Sequence, residues 1–66
     1  MKNKRKDYKS GSSVTMEKLF PSGMYLIELR TPKGELHDKI RVDDYRMALD
    51  YWRSFCAIAK NMKEGV

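Results

Sequence analysis

Between residues 24 and 30 the chain alternates with period two: Tyr25, Ile27 and Leu29 fall on one side, Met24, Leu26, Glu28 and Arg30 on the other. That is the spacing of a half-buried strand, whose successive side chains point to opposite faces. Ahead of it, residues 14–20 hold Val, Thr, Met, Leu and Phe, which suit a strand, and Pro21, Ser22 and Gly23 then break the run with a turn. After it, Thr31-Pro32-Lys33-Gly34 supplies a Pro that presets φ and a Gly that tolerates φ > 0. A returning strand is expected over residues 35–42, with Leu36, Ile40 and Val42 inward.

From residue 45 the period becomes helical. Asp43 or Asp44 is a good N-cap, because a carboxylate there accepts the orphan N–H groups and complements the helix dipole. A helix is predicted to run to about Lys63, with Lys60, Lys63 and Gly65 suiting its C-terminal end. On it, Tyr45, Ala48, Leu49, Trp52, Phe55, Cys56 and Ala59 form one stripe, which must cover the sheet. Arg46, Asp50, Arg53, Ala57, Lys60 and Asn61 lie opposite. A second apolar group, Met47, Tyr51, Ile58 and Met62, widens the apolar arc to roughly half the circumference, more than one small sheet should cover.

The predicted architecture is therefore α+β, a three-stranded antiparallel sheet packed against one C-terminal helix (β-β-β-α), spanning residues 14–66. Residues 1–13 carry Lys2, Lys4, Arg5, Lys6 and Lys9 with only Tyr8 as a large apolar group beside Met1. Such a segment cannot bury enough surface to offset its chain entropy, so it reads as a disordered basic tail. Ser10-Gly11-Ser12-Ser13 has no Lys-Ser/Thr continuation and no strand before it, which makes it a linker rather than a phosphate loop.

Length and composition narrow the function. Sixty-six residues allow one domain, which buries only about 60% of the surface its unfolded chain exposes. No apolar stretch approaches the roughly 20 residues that span a bilayer, and the basic start leads into no signal-peptide core, so no membrane contact and a cytoplasmic address are expected. One cysteine, Cys56, and one histidine, His37, are too few for an internal disulfide or a structural zinc site. No cofactor is expected, and no catalytic residue: Cys56 falls on the buried helix stripe and His37 on a strand, so they do not read as nucleophile and base. The net charge of +5 points to an anionic partner, but five of the fourteen basic residues lie in the first thirteen positions, leaving the remainder nearly neutral.

The run Gly23-Met24-Tyr25-Leu26-Ile27-Glu28-Leu29-Arg30-Thr31-Pro32-Lys33-Gly34 resembles the DNA-binding domain of ethylene-response-factor (Apetala-two-type) proteins, where a Gly, an aromatic, a Glu-Ile-Arg and a Pro-Lys-Gly turn fall at this spacing. Val42-Asp43 resembles the family's Phe-Asp before the helix, Ala48 a helix alanine and Trp52 a helix tyrosine. The likeness covers roughly residues 14–62. Related β-β-β-α modules at the N-termini of phage and transposon integrases share the outline. The resemblance implies a sheet whose outer face enters the major groove, Glu28 and Arg30 reading bases and Lys18 standing for a strand-one arginine. Phe20 and Ser22 stand where the family has an arginine and a tryptophan.

The expected function is thus a small non-enzymatic DNA-binding protein of a phage, mobile element or bacterium. Double-stranded DNA would be met by Lys18, Glu28, Arg30, Lys33, Lys39 and Arg41 of the domain and by Lys2, Lys4, Arg5, Lys6 and Lys9 of the tail. A second reading is a protein-interaction module, an inhibitor or assembly subunit, binding a partner or a second copy through Met47, Tyr51, Ile58 and Met62. A third is RNA or ribosome association through the tail, since basic arms grip A-form and B-form backbones alike.

Overall fold

The computed structural model describes residues 3–62. Four antiparallel strands, β1 (Lys4–Asp7), β2 (Ser13–Lys18), β3 (Tyr25–Arg30) and β4 (Leu36–Val42), form a meander in chain order, and α1 (Tyr45–Asn61) packs across one face. The α+β class is as expected, but the sheet has four strands where the hydrophobic pattern predicts three.

The additional strand lies in the segment read as a disordered tail. Lys4 to Asp7 pair with Met16 to Ser13 of β2, and every side chain of β1 is exposed. Backbone hydrogen bonds, rather than apolar alternation, specify this edge strand, so hydrophobic periodicity does not reveal it. A tight turn makes the pairing possible: the Tyr8 N–H donates to the Ser12 carbonyl at 3.0 Å and the Gly11 N–H to the Tyr8 carbonyl at 2.9 Å. Gly11 adopts φ 102° there, and a Cβ on it would lie 3.0 Å from the Pro32 carbonyl oxygen. The fully buried Ser12 hydroxyl donates to the Ala59 carbonyl at 2.9 Å, fastening this turn to the last turn of α1. The run read as a linker is therefore a structural corner.

β2 ends at Lys18, earlier than the predicted residue 20, because the Leu19 N–H turns to the Met24 carbonyl at 2.7 Å. β3 matches its alternation: Ile27 and Leu29 are fully buried. With Val14, Met16, Val42, Ala48, Phe55 and Ala59 they form the core, each large aliphatic side chain contributing about 1.5–3 kcal/mol. Ala48 and Ala59, both with no exposed surface, let the helix backbone approach the sheet closely.

β4 departs from expectation at its first residue. The register slips between Leu29 and Arg30, so that Leu29 faces Asp38 whereas Arg30 faces Leu36, leaving His37 as the extra residue of a bulge. Opposed residues of an antiparallel pair share a face, so Leu36 joins Arg30 on the outer face, 46% exposed, rather than the core. Ile40 and Val42 point inward as predicted. Asp44 is the N-cap, its Oδ2 accepting from the Met47 N–H at 3.1 Å. The helix ends at Asn61; Lys2, Lys63 and Gly65 lie outside the described residues.

Candidate nucleic-acid interface

The register distributes the predicted basic residues over two faces. Thr15, Glu28 and Lys39 share a row with Arg5, and Ser13, Arg30 and Leu36 share one with Asp7, all on the sheet face away from the helix. Glu17, Leu26 and Arg41 form a third row of that face. Its charges are interleaved and partly paired. The Arg5 guanidinium meets both oxygens of Asp7 at 3.0 Å, and Arg30 approaches Glu28 at 3.8 Å while donating to the Gly34 carbonyl at 3.3 Å. Lys33 and Lys9 are exposed in turns.

Lys4, Lys6 and Lys18 stand instead on the helix side, in register with the core residues Met16 and Val14 and with the half-buried Tyr25. Each lies over an aromatic ring. Lys4 Nζ is 5.9 Å from the centre of Trp52, Lys6 Nζ is 5.9 Å from Tyr8, and Lys18 Nζ is 5.6 Å from Tyr25. Tyr45, at the start of α1, meets Tyr25 in a tilted pair with ring centres 5.3 Å apart and planes at 51°. Trp52, Tyr8, Tyr25 and Tyr45 are half-buried.

A second cationic row runs along the exposed side of α1. Trp52 under Lys4, and Cys56 beside Tyr8, turn the flank made of Tyr45, Leu49, Trp52 and Cys56 toward β1. Arg53 and Lys60 follow Leu49 and Cys56 by four residues, one helical turn, and Arg46 precedes Leu49 by three. Arg46, Arg53 and Lys60 therefore form an exposed stripe beside that flank, recurring every seven residues, about 10 Å along the axis. Among the described residues the ion pairs are Arg5 with Asp7 and Arg30 with Glu28; none of these six cations is in one, although Asp50 lies one turn from Arg46 and Arg53.

No protein-family model, curated protein or solved structure matches the chain. What the chain can do chemically must then be taken from this surface: two rows of three cations border a strip of aromatic rings. Charge count named Lys4, Lys6 and Lys18 but not the face they share. Arg46, Arg53 and Lys60 were read as the solvated back of the helix, and their seven-residue spacing is the signal that could have found them. Among the described residues, no three His, Cys, Asp or Glu side chains converge as a metal site, and no helix is long and apolar enough to cross a membrane.

The strip also has a titratable seam. The Tyr8 hydroxyl is pushed up to about 12 by its hydrogen bond with the Cys56 thiol, then by burial and by repulsion from Cys56 charge. Because the folded state holds Tyr8 neutral above its ordinary value near 10, the resulting stability is fully present below pH 10 and is lost as pH rises toward 12. Tyr8→Phe is expected to flatten the fall in stability between pH 10 and 12, measured by urea unfolding at each pH.

The second apolar group lies on the other flank. Ile58 and Met62 border an open groove of about 650 Å³ against Thr31, Pro32, Glu35 and His37 at the β3–β4 end of the sheet, with Asn61 beside them. Met47 and Ile58 are 47% and 42% exposed, whereas Tyr51 is partly buried against the ring of Phe55 at 6.4 Å. The structure thus brings Ile58 and Met62 to the β3–β4 end of the sheet, away from the cationic strip, and leaves Met47 exposed outside that groove.

Proposed function

We propose that this chain is a non-enzymatic nucleic-acid-binding domain that holds the phosphate backbone between its two cationic rows. The observation that carries the reading is that Lys4, Lys6 and Lys18 each cap a half-buried ring, with the exposed stripe Arg46, Arg53 and Lys60 on the adjoining helix, and that none of the six is in an ion pair among the described residues. A lysine over a ring gains only about 0.5–1 kcal/mol at an exposed site, so a phosphate can draw it away and leave the ring face to a base. This arrangement favours the helix side over the outer sheet face, where Asp7, Glu17 and Glu28 offset Arg5, Arg30, Lys39 and Arg41.

Cation rows serve any phosphate backbone, but ring faces uncovered by the lysines add affinity only where bases are unstacked, which supports single-stranded segments as the target. The testing experiment is an anisotropy titration with labelled single-stranded DNA, duplex DNA and hairpin RNA at two salt concentrations. Binding should weaken steeply with salt and be tightest for single strands or the loop of the hairpin. Salt-independent or undetectable binding to all three would remove the reading.

A further inference from the structure

β4 is an open sheet edge, exposed along most of its length, and it carries cations on one side and an apolar groove on the other. Lys39 and Arg41 stand on its outer face. On its inner side the helix covers Val42 and part of Ile40 but leaves Ile58 and Met62 bordering the groove with Pro32 and His37. We infer that this edge accepts an extended segment of another protein as a fifth strand, one that alternates acidic and apolar residues.

The choice of partner follows from charge. A second copy pairing antiparallel through β4 must set residues of one face opposite each other across a two-fold axis. In the registers that pair most of the strand, like charges then meet: Lys39 with Lys39, or Lys39 with Arg41, or Asp38 with Asp38. Like charges directly opposed destabilise a pair, whereas opposite ones stabilise it. Acidic residues facing Lys39 and Arg41 satisfy the outer side, and the intervening apolar residues reach Ile40 and, at the β3–β4 end, the groove bordered by Ile58 and Met62. The backbone supplies the remaining contacts, as in strand addition generally. One of them is marked: the Lys39 N–H is now held by the Asp38 carboxylate at 2.8 Å, and the incoming strand's carbonyl replaces that acceptor.

The test is a titration of a fluorescent peptide of alternating Glu and Val against the full chain, beside a Lys–Val peptide of equal length, with backbone amide shifts followed by NMR. The Glu–Val peptide should bind and shift β4 amides. Lys39→Glu with Arg41→Glu should weaken it about tenfold and admit the Lys–Val peptide. Lys39→Pro should abolish both with the circular dichroism spectrum retained, since an edge strand tolerates a proline whose N–H would face outward. Failure of the Glu–Val peptide to bind, binding that both Lys39 variants leave unchanged, or a salt-resistant dimer lost on Lys39→Pro would overturn the inference. Nucleic-acid binding, on the opposite flank, should survive Lys39→Pro, so the two sites fail independently.

Discussion

Gly11→Val should lower the unfolding midpoint by more than about 10 °C, although the residue lies outside the segment that the hydrophobic pattern marks as a domain. Two terms act together. Gly11 sits at φ 102°, a region that a β-branched residue adopts only with strain of about 1–3 kcal/mol. Its new Cβ would also stand 3.0 Å from the Pro32 carbonyl oxygen and 3.4 Å from the Pro32 Cα, backbone that cannot swing aside. For a chain of this length total stability is about 3–10 kcal/mol, so the loss is a large part of the whole. The adjoining Ser12 hydroxyl bond to Ala59 would be displaced with the turn. Thermal melts by circular dichroism check this, and an unchanged midpoint would mean that residues 4–12 do not belong to the fold.

Replacing Lys4, Lys6 and Lys18 together by glutamine should reduce affinity for single-stranded nucleic acid about a hundredfold near physiological salt, with a shallower salt dependence. Each contacted phosphate contributes roughly 0.7–0.9 to the slope of log affinity against log salt, so the slope should fall by about two to three. Glutamine removes the charge and keeps a flexible polar side chain one bond shorter. The three lysines lie at the margin of the fold and none makes an ion pair among the described residues, which leaves the core untouched. The matched control is Arg30, Lys39 and Arg41 to glutamine on the outer face, where affinity should change little.

The parts of the fold that bury apolar side chains were legible. β3 follows from Tyr25, Ile27 and Leu29, and the helix from its stripe and from Asp44, whose carboxylate does cap it. β1 was not, because Lys-Arg-Lys-Asp has no inward apolar residue to alternate; its one local sign was Tyr8 and Gly11 spaced to close a turn. Leu36 was read as core because a bulge at His37 reverses every residue before it, and no residue type announces that slip. The site was half legible for the same reason. Lysines over aromatic rings depend on the register of β1 against β2, and a tail with no register has no face.

The account stands or falls on where nucleic acid lies, and Trp52, the sole tryptophan, is placed under Lys4 in the proposed strip. Its emission should be recorded as single-stranded DNA is added at low salt. Quenching that saturates with binding, reverses on adding salt and is lost in the Lys4, Lys6, Lys18 variant is the expected result. Binding by anisotropy with Trp52 emission unchanged, together with its loss when Arg30, Lys39 and Arg41 are neutralised, would place the ligand on the outer sheet face and contradict it.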